Sequence, residues 1–247
     1  MAAVTITDIA VRVPHQRPVQ AWVVAPAAGQ RRHAAAGVLW LHWLGHRHND
    51  RSEFLSQAVG FAGQGVVSVL PAGGFPWVED PDGTPADAER VRAQVAAYRQ
   101  VLDRLAGTRA VDPHRIAVVG HDYGAMYGAL LADQDPRVSV LALQAPDATW
   151  GNWFATHWLG LQGQARADYG ALFPGLDPVD HVARLGSRVL LQWAGDDKYV
   201  AADVADAVSA ANPLATRLDY PTADHQLGDR AIADLAGFLT AQLGLRG

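Results

Sequence analysis

The chain has 247 residues, 49% of them apolar and 18% charged, with a formal net charge of −5. That is material for one soluble domain with a large core, and it excludes a basic footprint for nucleic acid or an anionic membrane. Cysteine is absent, and the twenty basic residues comprise nineteen Arg and the single Lys198, so disulfide frameworks, thiolate metal sites and a cysteine nucleophile are excluded.

The opening stretch MAAVTITDIAVRVP has neither the basic start nor the unbroken apolar run of a secretory signal. No apolar run approaches the ~20 residues of a membrane helix, so a cytoplasmic protein is expected. Residues 4–13 and 20–24 read as an opening strand pair around the turn-prone 14–18 segment. Residues 37–42, GVLWLH, form an apolar run suited to a strand buried on both faces. A helix is expected over 53–62 and a second buried strand over 66–70. Residues 85–105 predict a long amphipathic helix, because Val91, Val95, Tyr98, Val101, Leu102 and Leu105 recur at three- and four-residue spacing. A strand over 115–119 then runs into a helix reaching Leu131. Strands over 138–143, 188–193 and 216–220, with helices around 202–210 and 229–243, complete the chain. This alternation predicts an α/β fold with a mostly parallel sheet covered by helices on both faces, in a single domain spanning 1–247. Residues 146–186 break the rhythm. They carry Trp150, Trp153, Trp158, Tyr169 and Phe173, as expected of a short aromatic lid over a site.

The most informative stretch is Gly120-His121-Asp122-Tyr123-Gly124, between an apolar strand and a helix. Glycines two residues either side of a central side chain permit the sharp strand-to-helix turn that lifts a nucleophile above a helix N-terminus. Here the chain resembles the α/β-hydrolase fold family over nearly its whole length. Its size and short lid look most like the dienelactone hydrolase branch, whereas the elbow GHDYG looks like that of epoxide hydrolases and haloalkane dehalogenases, with aspartate at the centre. The missing cysteine removes the nucleophile that dienelactone hydrolases use, and Asp122 stands in its place. The resemblance implies a triad of Asp122, His225 before the last helix, and Asp197, chosen over Asp196 because it lies three residues before Val200. It implies oxyanion donors at the backbone amides of Tyr123 and of Leu44, the latter in His42-Trp43-Leu44-Gly45 where the family has His-Gly-x-Gly. Trp43, His121, Trp150, Trp153 and Tyr169 are candidate substrate contacts, apolar or aromatic in character. His42, His46 and His48 have a spacing that superficially suits a metal, but no carboxylate-bearing motif such as H-E-x-x-H accompanies them, so neither metal nor other cofactor is expected.

An aspartate at this position suits attack on saturated carbon, because water can later cleave the resulting aspartyl ester at the enzyme's own carbonyl. The sequence reading therefore favours a hydrolase of a small apolar substrate with a covalent aspartyl ester, foremost an epoxide hydrolase. Ester or lactone hydrolysis, a haloalkane dehalogenase and a non-catalytic ligand-binding protein are the alternatives. The dehalogenase reading lacks its halide donors, since Tyr123 and Leu44 occupy those places. The epoxide reading needs acids for the opening oxygen, and the insertion offers Tyr169, with His157 or an indole N–H as substitutes. The partner expected is a small-molecule substrate, with no nucleic acid or membrane. A homodimer is open to the chain, since a C-terminal amphipathic helix does not decide oligomeric state.

Overall fold

The computed structural model describes residues 3–27, 34–44 and 50–245. Eight strands form one sheet in the order β1-β2-β4-β3-β5-β6-β7-β8. These are β1 (Val4–Val11), β2 (Val19–Pro26), β3 (Ala35–Leu41), β4 (Val67–Pro71), β5 (Val111–His121), β6 (Val138–Gln144), β7 (Val189–Ala194) and β8 (Thr216–Tyr220). The opening hairpin is antiparallel, β2 pairs antiparallel with β4, and every pairing from β4 through β8 is parallel. Burial explains the apolar runs: all seven residues of β3 and all five of β4 are buried, as parallel strands covered on both faces require.

The two faces carry separate cores. On one lie α2 (Ala86–Ala106) and α3 (Tyr123–Gln134); on the other α1 (Leu55–Gly63) and α8 (Gly228–Gln242) pack over Trp40, Val38 and Val119. The α2 stripe read from the sequence is buried throughout, and each such Val or Leu contributes about 1.5–3 kcal/mol. Helix α1 starts two residues later than the sequence suggested. Residues 51–54 form a turn instead, and Glu53 is turned toward the end of β3, where its carboxylate accepts the Trp43 N–H at 2.7 Å. Strand β5 begins four residues early, at Val111, and ends at His121, directly before the elbow.

The 146–186 segment folds as α4 (Trp150–Phe154), a π-helical turn (Ala155–Leu159), α5 (Gly163–Gly170) and α6 (Pro178–Val182). Its aromatics join the α2–α3 core. Trp150 and Phe154 pack on Tyr123 and Tyr127 of α3 or on each other. Its flank is fixed by Trp158 Nε1 donating to Asp80 at 3.1 Å and the Tyr169 hydroxyl donating to Asp87 at 2.6 Å. Helix α7 (Ala202–Ala211) packs against α6, and its Ser209 hydroxyl accepts the Trp193 indole N–H of β7 at 3.0 Å. Among the described residues, no helix is long and apolar enough to cross a membrane.

Candidate active site

Asp122 sits at the carboxyl end of β5, where an α/β sheet gathers its functional loops. Its φ of 54° and ψ of −118° lie in a region an L-residue rarely occupies, at a cost of about 1–3 kcal/mol. The flanking glycines make the turn sterically feasible. A Cβ on Gly120 would stand 2.2 Å from the Gly124 carbonyl oxygen, and one on Gly124 only 2.0 Å from that of Leu41. Because these obstacles are backbone, they cannot swing aside. Gly124→Ala is expected to destabilise the protein by about 3 kcal/mol or more, a fall of roughly 6 °C or more in thermal melting temperature. Gly60→Ala, in α1 with nothing within 4 Å of its would-be Cβ, is expected to leave that temperature unchanged or raise it.

The Asp122 side chain is buried, and its two oxygens differ. Oδ2 accepts the Leu44 backbone N–H at 3.2 Å. Oδ1 is buried with no hydrogen-bond partner among the described residues. Burial pushes the carboxyl up to about 6, although the nearby His225 and His121 charges and the Leu44 amide pull the other way. Tyr123 opens α3, so its backbone N–H is one of those a first helical turn leaves free.

His225 lies in the loop between β8 and α8. Its Nδ1–H donates to Asp197 Oδ2 at 2.8 Å, with both side chains buried. Asp197 is held in turn by the backbone N–H groups of Tyr199 and Val200, at 2.8 and 3.1 Å. Burial opposes its ionisation, but the His225 hydrogen bond and these amides outweigh it and lower its pKa. Between the adjacent aspartates the geometry selects Asp197; the Asp196 N–H donates instead to the Ala223 carbonyl. With Nδ1 committed, Nε2 is the ring nitrogen of His225 that Asp197 leaves free. Trp43 and Tyr199 flank its ring at 5.7 and 5.0 Å between centroids.

Several expected substrate contacts are placed differently. His121 is not a pocket-lining side chain, because its Nδ1 faces Glu53 at 2.6 Å and its Nε2 donates to the His225 carbonyl at 2.9 Å. Trp150 belongs to the core: it is fully buried and its indole donates to the Leu176 carbonyl at 2.9 Å. Tyr169 has given its hydroxyl to Asp87 and packs edge-on against Phe173. Trp43 does stand beside His225, stacked flat on His121 at 5.1 Å. Its carbonyl accepts the Trp77 indole N–H at 2.9 Å, which fixes the loop despite the missing glycine. Trp153 meets Tyr123 edge-on at 5.6 Å and His157 at 4.4 Å. Burial lowers the His157 pKa, and its ring stands 5.8 Å from that of Tyr199. His42 has both ring nitrogens engaged, by the Trp43 carbonyl and the Gly73 N–H, each at 2.9 Å. Gly45, His46 and His48 lie outside the described residues, and no group of three metal-ligating side chains occurs among those described.

Glu53, Trp77 and Tyr199 were not singled out by the sequence. A lone Glu before a helix, a Trp after a cis Phe75–Pro76 bond and a Tyr two residues past an aspartate carry no recognisable spacing.

No protein-family model matches the sequence, and no curated protein matches it. Solved structures do. A protein from Klebsiella pneumoniae subsp. pneumoniae assigned as a dienelactone hydrolase aligns at a TM-score of 0.70 and 16% identity, over 98% of this chain and 99% of its own. An acetyl xylan esterase from Paenibacillus sp. R4 aligns at 0.71 and 15%, over 98% and 89%. A cold-adapted esterase from an Arctic intertidal metagenomic library aligns at 0.71 and 18%, over 98% and 95%. The chain therefore has the α/β-hydrolase fold, as its strand order and elbow require.

Proposed function

We propose that this protein is a hydrolase of small, uncharged esters or lactones, with Asp122 as nucleophile and His225, held by Asp197, as the base that activates water. The observation that carries the reading is the Leu44 N–H on Asp122 Oδ2 beside an Oδ1 that has no partner among the described residues. In a serine enzyme of this fold the oxyanion amides wait for the substrate's carbonyl. Here one of them already holds the enzyme's own carboxyl, which is where negative charge develops when water cleaves an aspartyl ester.

The leaving group separates the substrates. An epoxide oxygen departs as an alkoxide and calls for an acid, yet Tyr169, the insertion's single tyrosine, donates to Asp87 instead. A lactone opened at its alkyl carbon departs as a carboxylate and needs no proton. Likeness to a dienelactone hydrolase and two esterases supports the same substrate class, and ester or lactone is preferred to epoxide on both grounds. In the first step Asp122 Oδ1 bonds to the alkyl carbon and the carbon–oxygen bond of the lactone breaks, its electron pair leaving on the new carboxylate. In the second, His225 Nε2 takes a proton from water, whose oxygen adds to the Asp122 carbonyl carbon. Collapse expels the product alkoxide, which recovers the proton from His225.

A single turnover in heavy-oxygen water, with mass analysis of product and of the Asp122 peptide, tests this. The expected result is an unlabelled first product and one labelled oxygen in the Asp122 peptide, with label reaching product in later turnovers. Label in the first product and none in Asp122 would refute the covalent step.

A further inference from the structure

Directly behind the reacting groups lies a buried pair that the mechanism above does not use. Glu53 Oε1 stands 2.6 Å from His121 Nδ1, and the two side chains retain 15% and 4% of their exposure. Glu53 Oε2 accepts the Trp43 N–H at 2.7 Å, and His121 Nε2 lies 2.9 Å from the His225 carbonyl oxygen. One carboxylate thereby joins the loop that carries the Leu44 amide, and through His121 the loop that carries His225. Both nitrogens of the His121 ring face an oxygen. A carbonyl can only accept, so Nε2 carries a proton; Glu53 accepts the Trp43 N–H on its other oxygen, and with its carboxyl ionised Nδ1 carries a proton as well. Neutral imidazole has one N–H; the cation has two.

We infer that His121 is an imidazolium paired with Glu53, and that it acts as a positioning residue for the proposed reaction by keeping Asp122 ionised. The inference rests on the reading of Asp122 as nucleophile only for its catalytic meaning; the charge state is a property of the resting protein. Among the described residues, the carboxylates facing His121 favour it. Glu53 reaches it from the turn before α1, and Asp122 follows it in the chain. The His225 ring lies 5.0 Å away, with Asp197 bonded beyond it. Trp43 covers the ring face in a parallel stack, a favourable place for a cation. Burial by itself would lower the His121 pKa, but the charge and hydrogen bond of Glu53, with the charge of Asp122, raise it overall.

Such a cation serves both steps. Beside Asp122 it offsets the desolvation of the carboxylate in the first step. Once Asp122 is esterified its negative charge is gone. The charge of His121, the preceding residue, then adds its field to that of the Leu44 amide as the oxyanion of the second step develops on the aspartyl carbonyl.

Nitrogen-15 NMR of the histidine-labelled wild-type protein reads the charge state without any substrate. At pH 8 both His121 nitrogens are expected to show protonated signals, and Glu53→Gln is expected to convert one to the unprotonated form. A single protonated nitrogen in the wild type would overturn the inference. His121→Gln keeps a donor toward Glu53 but removes the charge. It is expected to move the carbon-13 titration midpoint of Asp122 upward by about one unit or more, with the acid limb of turnover following. An unmoved midpoint in the folded variant would overturn it too. Should no ester or lactone be turned over, the function proposed above fails while both titrations still decide the charge on His121; should His121→Gln not fold, the wild-type nitrogen signals decide it alone.

Discussion

Asp122→Asn is expected to lose turnover by at least about 10⁴-fold, because an amide oxygen is a poor nucleophile and its carbon cannot pass through the same ester cycle. The fold is expected to survive, with a melting temperature at pH 8 equal to or above that of the wild type. The second expectation follows from the sign of the Asp122 shift. Its pKa in the folded protein, about 6, lies above the ordinary carboxyl value of 3.8, so the folded state holds that proton more tightly than the unfolded one. The ionised form is therefore a cost to stability above pH 6, which is relieved as pH falls through 6 toward 4. Removing the charge removes the cost. Activity runs the other way, since the proposed nucleophile is the carboxylate: wild-type kcat/KM is expected to fall on the acid side with a midpoint near 6. A residue that merely supported the fold would lose stability and activity together. A variant that retained turnover, or one that lost both, would contradict the assigned role.

That a strained, desolvated carboxylate is tolerated at all reflects how much of the surrounding structure is specified by contacts within the elbow. Glycines at 120 and 124 are needed because backbone approaches within van der Waals distance on both sides, and this need is visible as a spacing in the sequence. The same holds for Asp197, whose distance to Val200 reflects a turn in which both following amides bond back to its carboxylate. Helix α2 was legible because its buried stripe has the period of the helix. These are local constraints, written within a few residues. The Glu53–His121 contact joins residues 68 positions apart, and nothing in either neighbourhood announces it. His121 was legible as a neighbour of Asp122, but its direction was not: the last residue of β5 points toward the turn before α1. The aromatics of residues 146–186 show the same limit. Composition marks the segment as able to cover a site, yet Trp150 and Tyr169 are tied to Leu176 and Asp87, while Trp153 stays beside Tyr123 and His157. Which aromatic faces the chemistry depends on hydrogen bonds between distant segments, and periodicity carries no record of those.

His225→Gln is expected to divide the reaction at its midpoint. Formation of the ester uses an Asp122 carboxylate that needs no base above pH 6, whereas its cleavage needs a group to take the proton of water. Removing the imidazole is therefore expected to slow the second step by about 10³-fold or more and leave the first within roughly tenfold, so that the covalent species accumulates. With a lactone the whole ring-opened molecule stays attached, because the leaving carboxylate and the alkylated carbon belong to one chain. Intact-protein mass is then expected to rise by the full mass of the lactone, with the addition on the Asp122 peptide and absent from the Asp122→Asn/His225→Gln double variant. With an open-chain ester the adduct is the alkyl part alone when the alkyl carbon is attacked and the acyl part alone when the acyl carbon is, so the ester reports which carbon is attacked. The Asp197 contact sharpens the test. Asp197→Asn leaves the imidazole present but without its carboxylate partner at 2.8 Å, and it is expected to accumulate the same adduct to a smaller extent. Unmodified His225→Gln protein after exposure to substrates that the wild type consumes would exclude the aspartyl intermediate and leave Asp122 as a base acting directly on water.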